Sequence, residues 1–160
     1  MVHEYNAMAS NLSMTTSLNF SASVGNLLNP TDPTPAEFEH EPFYNFDLVV
    51  VGLGFHHFGD AVVAASRLVE RLKQGGVLLI ADFLFKEEAN GHQHGHGAGY
   101  SHGHVAKRHL GFGKEEMKKI FESAGVGKDF RFEIIAEGAV FETSSRSMIS
   151  DVFMARGTKL

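Results

Sequence analysis

Residues 46–84, FDLVVVGLGFHHFGDAVVAASRLVERLKQGGVLLIADFL, decide the fold. They open with FDLVVVGL (residues 46–53), a nearly continuous apolar run. A half-exposed strand alternates apolar and polar residues, whereas a run apolar on both sets of positions belongs to a strand buried on both faces of a parallel sheet. Asp60 stands where a helix N-cap belongs, because its carboxylate can accept from the orphan N–H groups of a first turn. Ala61, Ala65, Leu68, Val69 and Leu72 follow at helical spacing. Lys73 suits the last turn, beside the negative end of the helix dipole, and Gly75-Gly76 offers a left-handed stop. VLLIADFL (residues 77–84) is a second buried strand. Strand, helix and strand in this order predict a right-handed βαβ unit with parallel strands.

Working outward, residues 86–110 are rich in glycine and histidine, lack periodicity and are expected to form a flexible loop. A helix is predicted over residues 114–124, with Met117, Ile120, Phe121 and Ala124 on one face and Gly125 ending it. Residues 130–137 alternate, with Phe130, Phe132, Ile134 and Ala136 facing inward, and residues 148–156 read as the last strand. No crossover helix fits between these two, so they are expected to be antiparallel neighbours. Toward the amino terminus, Met1, Tyr5, Met8, Ala9 and Leu12 make one helical stripe. Leu18, Phe20, Ala22 and Val24 alternate and predict a strand over residues 15–24. All four prolines, Pro30, Pro33, Pro35 and Pro42, fall between residues 29 and 45, which marks a surface loop.

The chain has 160 residues, 43% of them apolar, which suits one α/β domain spanning residues 1–160. A net charge of -5 with no clustered basic face argues against a nucleic-acid partner. Lys107, Arg108, Lys114, Lys118 and Lys119 are the densest basic group, but Glu115 and Glu116 interleave them. The absence of cysteine excludes disulfide and thiolate chemistry. No apolar run approaches the ~20 residues that span a bilayer, and the first residues do not read as a secretory signal. The expectation is a cytoplasmic protein with no membrane partner.

The central stretch resembles the fourth strand, fourth helix and fifth strand of class I S-adenosylmethionine-dependent methyltransferases. That family shows a Tyr/Phe-Asp-Leu-Val opening, a His-His pair after the strand, and a helix ending Leu-Lys-Pro-Gly-Gly; here Gln74 stands in the place of that proline. Residues 23–28 (SVGNLL) resemble the end of the third strand, and residues 110–126 (LGFGKEEMKKIFESAGV) the following helix. The long histidine-containing loop is most similar to fungal members. The resemblance implies a partial Rossmann-like methyltransferase fold, with strands equivalent to 3 to 7 of a mixed sheet ordered 3-2-1-4-5-7-6, the last strand antiparallel. It implies S-adenosylmethionine as cofactor and a small-molecule methyl acceptor.

The family's Gly-x-Gly turn after the first strand, and the acidic residue ending the second, have no counterpart here. The opening helix resembles the one after the second strand, so the chain is expected to start just beyond both and to be impaired or inactive. Asn26 replaces the usual Asp facing the adenine amino group, and its amide oxygen can still accept that hydrogen bond. The cofactor-binding residues implied are Gly25, Asn26, Leu27, Gly52, Leu53, Gly54 and His56.

Each candidate has a structural alternative. Gly52-Leu53-Gly54 is a cofactor wall or a tight turn. His56 and His57 offer a general base or simple packing. Asp82 lines the pocket or caps the next turn. No catalytic residue is singled out, since proximity alone suffices for many methyl transfers. His92, His94, His96, His102 and His104 can gather a zinc, copper or nickel ion, but their glycine-rich setting leaves them unfixed, so no metal site is assigned. Without neighbours, the 46–53 strand would be an exposed apolar edge, repaired either by the 15–24 strand or by another chain, including a second copy. The alternatives to an enzyme are therefore an interaction module pairing through that edge, and a histidine-loop metal binder.

Overall fold

The computed structural model describes residues 1–13, 20–29, 31–32, 35–85, 111–142 and 147–160. The chain divides into two compact units, Met1–His40 and Glu41–Leu160.

In the first unit, helix α1 spans Val2–Ser13. Of the apolar stripe that predicts it, Ala9 is buried, while Met1, Tyr5, Met8 and Leu12 are all exposed. The strand expected over residues 15–24 is not formed where it can be seen: residues 14–19 lie outside the described residues, and residues 20–24 belong to no strand. A strand needs a neighbour's peptide groups, and here a side chain supplies the partner instead. The Asn6 amide accepts from the Ala22 N–H at 2.6 Å and donates to the Ala22 carbonyl at 2.9 Å. The proline-rich stretch is a loop carrying one short 3₁₀ turn, Ala36–Phe38, with Phe38 buried.

The second unit is a four-stranded sheet with two helices. Strand β1 (Phe46–Gly52) leads through the 3₁₀ turn Phe55–His57 into α2 (Ala61–Glu70) and then β2 (Leu72–Phe83). Helix α3 (Lys114–Ser123), β3 (Lys128–Glu142) and β4 (Ser147–Thr158) complete it. The spatial order is β1-β2-β4-β3, with β1 and β2 parallel and β4 antiparallel to both of its neighbours. This matches the 4-5-7-6 portion of the sheet implied by the resemblance, antiparallel strand included.

Cross-strand partners share a face. The set Val49, Val51, Leu78, Ile80, Asp82, Phe153 and Ala155 lies on one face, and its β2 and β4 members are fully buried. Helices α2 and α3 pack on each other and on the sheet to cover it, and their buried residues are Ala64, Ala65, Val69, Met117, Ile120 and Phe121. Burying each large side chain of this core contributes roughly 1.5–3 kcal/mol. The opposite face is more open, with Leu48 and Val50 of β1 at 52% and 55% exposure. Strand β1 ends the sheet among the described residues and none of its residues is buried, where its apolar run predicts burial on both faces; an edge position leaves it covered on one side only by β2.

Two details differ from expectation. Helix α2 ends at Glu70, before Lys73, because the Arg71 carbonyl turns to accept from the Phe46 N–H at 3.0 Å and starts the sheet. Gly75, at φ +75°, makes its left-handed turn inside β2 instead of stopping the helix. In β3, Phe132 stacks on Phe153 at 4.6 Å, but Ile134 is 47% exposed. Register shifts on both sides of Ala136 break the alternation there, as bulges do on edge strands. None of the helices in the described residues is long and apolar enough to cross a membrane.

Candidate functional site

The carboxyl ends of β1 and β2 carry the candidate site, which is where open α/β sheets bind ligands. Beyond the last residue of β1, the Leu53 N–H donates to the Ala81 carbonyl at 2.8 Å, so pairing with β2 runs one residue past the strand. Leu53 has φ +52°, a left-handed conformation that costs a Cβ-bearing residue roughly 1–2 kcal/mol. The flanking glycines leave room. A Cβ placed on Gly52 would meet nothing within 4 Å, and one on Gly54 only the Gly52 carbonyl at 3.8 Å. The turn is a smooth, open backbone surface.

Phe55 anchors the 3₁₀ turn that comes next. Its side chain is completely buried, edge-on to Phe58 at 5.6 Å and tilted against Phe112 at 5.4 Å. With Phe55 fixed, His56 is delivered to the end of β2. Its backbone N–H donates to Asp82 Oδ2 at 2.8 Å, and its ring Nδ1 lies 2.6 Å from Asp82 Oδ1. Asp82 is fully buried, and Oδ1 also accepts the Phe83 N–H at 2.8 Å. Both carboxylate oxygens are therefore acceptors already, and the matching ring tautomer has its proton on Nδ1 and a lone pair on Nε2. The His56 ring contacts His57 at 4.0 Å and Phe83 at 5.1 Å, and its side chain retains 13% exposure.

A second segment closes the same corner. Leu84 and Phe112 form a parallel bridge. The Phe112 N–H donates to the Phe83 carbonyl at 3.0 Å, and the Phe85 N–H to the Phe112 carbonyl at 3.1 Å. The chain therefore leaves the sheet at Phe85 and returns at Gly111 beside Asp82. Gly111, at φ +152°, passes so close that a Cβ there would collide with the Phe83 carbonyl.

Of the residues singled out in the sequence, Gly52, Leu53, Gly54 and His56 come together here, joined by Asp82. Gly25, Asn26 and Leu27 belong to the first unit, where the Asn26 side-chain oxygen accepts from the Leu28 N–H at 3.0 Å. The His56–Asp82 pair leaves no signal in the sequence: 26 positions separate the two, and no local spacing links a turn histidine to a strand-end carboxylate. Among the described residues no group of three or more His, Asp or Glu could hold a metal ion. The histidines from His92 to His104 lie outside the described residues.

No family model matches the sequence, and no curated protein matches it. Solved structures do match. The YcgJ protein of Bacillus subtilis is similar, with a TM-score of 0.52 and 14% identity over 98% of this chain and 78% of that one. The [4+2]-cyclase SpnF has a TM-score of 0.51 at 13% identity, over 96% of this chain and 62% of its own. A methyltransferase of Thermotoga maritima, described as S-adenosylmethionine-dependent and as a possible histamine N-methyltransferase, has a TM-score of 0.47 at 16% identity over 76% of this chain. This chain spans 60% of the length of that protein. At such identities the likeness is one of fold: an open α/β sheet of the Rossmann-like kind. Its strand order is the 4-5-7-6 portion that the sequence resemblance implies.

Proposed function

We propose that the turn after β1 is one wall of an S-adenosylmethionine site and that the chemistry is methyl transfer to a small molecule. The observation that carries this reading is Leu53, held at positive φ between two glycines at a strand's carboxyl end. Backbone strain of this kind persists only where the surroundings impose it, and it clusters at ligand sites. The open space over Gly52 fits a ligand that must approach main chain closely. Gly52, Leu53, Gly54 and His56 would line that wall.

When bound, the cofactor supplies an electrophilic methyl group on a sulfonium. The part of this chain is to orient the acceptor toward it and exclude water, effects that account for much of such a rate enhancement. Photolabelling with S-adenosylmethionine, mapped by mass spectrometry, is expected to mark residues 52–56. Labelling elsewhere, or none, contradicts the reading.

A second reading is favoured by one observation, the exposure of Leu48 and Val50 on edge strand β1. In it the chain pairs with another chain along that edge, and the proposed cofactor site is completed by the partner. Leu48→Lys with Val50→Lys is expected to reduce association in sedimentation velocity without unfolding the chain. Unchanged sedimentation would contradict it.

A further inference from the structure

We propose that the open face of the sheet, opposite α2 and α3, docks an acidic amphipathic helix of a partner protein through Arg131 and Arg156. The inference is independent of the cofactor reading and starts from the strand register. Arg131 of β3 stands directly opposite Arg156 of β4, and Leu79 of β2 and Val50 of β1 continue the same row across the sheet. Ala155 faces the helices and is fully buried, so Arg156, the next residue, faces away from them, and its row with it.

Like charges placed directly opposite each other weaken a sheet. Nothing in this sheet offsets them: among the described residues neither arginine makes an ion pair, and Arg156 Nε is buried with no hydrogen-bond acceptor. A buried donor left in that state is costly to the fold. Glu133 lies two residues along β3 on the same face, but its cross-strand partner is Met154. Two adjacent guanidinium forks suit a carboxylate, which accepts from both and cancels their repulsion.

The other half of the face is apolar. Leu48 and Val50 are 52% and 55% exposed, and Leu79 beside them is half-buried. Sheets with parallel strands are ordinarily covered by helices on both faces, and both helices of this unit lie on the other one. Neighbouring strands lie about 4.8 Å apart, so Val50 and Arg156 are separated by roughly 10 Å, the width of one helix. A helix laid along β2 would set its apolar stripe on Leu48, Val50 and Leu79 and a carboxylate edge on the arginines. A strand added beside β1 would leave both arginines uncovered. An anionic membrane is a poorer match, because two arginines beside Glu133, on a chain of net charge -5, attract it little.

The probe is a fluorescent helical peptide of roughly 20 residues, with leucines along one stripe and glutamates along one flank of it. A second peptide carries lysines in place of the glutamates. Anisotropy with the full chain is expected to show saturable binding of the glutamate peptide, about tenfold or more tighter than the lysine peptide. Arg131→Glu should remove that preference. Because it sets opposite charges across the two strands, it should also hold or raise the urea midpoint. An arginine needed only for the fold would lower the midpoint when replaced, and that result overturns the proposal. Equal binding of the two peptides overturns it as well, and this comparison needs no variant to fold. So does a preference that Arg131→Glu leaves intact. Binding to phosphatidylserine vesicles without binding to the glutamate peptide would give the face to a membrane. Self-association abolished by Arg131→Glu but untouched by the peptide would give it to a second copy. Either outcome overturns the proposal.

Discussion

The Asp82 carboxylate accepts both the backbone N–H and the ring Nδ1 of His56, at 2.8 and 2.6 Å, and so staples the turn after β1 to the end of β2. Replacing Asp82 with Ala would leave these donors, and the Phe83 N–H, buried without an acceptor. Unsatisfied buried donors cost about 1–3 kcal/mol each. Urea unfolding is expected to show a loss of about 3 kcal/mol or more for Asp82→Ala. His56→Gln, which keeps its backbone bond to Asp82, should lose about 1–2 kcal/mol. Equal effects would mean that the carboxylate acts through the ring alone.

Leu53 supplies a test of the strained turn. Asn tolerates the left-handed region better than Leu, while a β-branched residue is disfavoured there. Leu53→Asn is expected to leave stability unchanged or raise it by up to about 1 kcal/mol, and Leu53→Val to lower it by about 1–2 kcal/mol. Urea midpoints for the pair check this. A Val variant as stable as the Asn variant would show that φ at Leu53 is not constrained.

Gly111 lies at the return of the chain beside Asp82, where a Cβ would strike the Phe83 carbonyl and φ is +152°. Gly111→Ala should destabilise by about 2 kcal/mol or more, since backbone must shift. Gly113 is the control, because a Cβ there meets nothing within 4 Å. Gly113→Ala is expected to change the thermal midpoint little.

Asp47 at the start of β1 pairs with Lys73 of β2. The hydrogen bond from Lys73, and then its charge, hold the Asp47 carboxyl below the usual value of 3.8. A carboxyl lowered in the folded state stabilises fully above its unfolded pKa. That contribution is lost as the pH falls through the lowered value. The stability difference between the unsubstituted chain and Asp47→Asn should therefore be constant above about pH 5 and shrink below about pH 4. The pair is exposed, so the difference is small. Urea midpoints across roughly pH 2–7 check the sign, and a difference that grows toward acid would contradict it.

The sheet was legible because apolar runs and alternation are local signals. FDLVVVGL and VLLIADFL name two strands, although the first is not buried as its apolar run suggests, and the missing crossover makes the last pair antiparallel. Strand β3 shows the limit of such patterns, since bulges around Ala136 expose Ile134 despite its inward phase. The described part of the expected 15–24 strand, residues 20–24, is not a strand for a related reason: alternation predicts a strand only where a partner exists, and Asn6 takes the Ala22 peptide groups instead. At the site, Gly52-Leu53-Gly54 could be read from its place after a strand. The Asp82–His56 bond could not, because it joins the ends of two strands through a helix-length detour.

The central claim is that the turn after β1 binds the cofactor, and calorimetric titration with S-adenosylhomocysteine tests it most directly. Saturable binding by the unsubstituted chain, weakened about tenfold or more by Gly52→Val, is the predicted result; tenfold corresponds to about 1.4 kcal/mol. No saturable heat from a chain shown to be folded, or equal affinity in the Val variant, would contradict it.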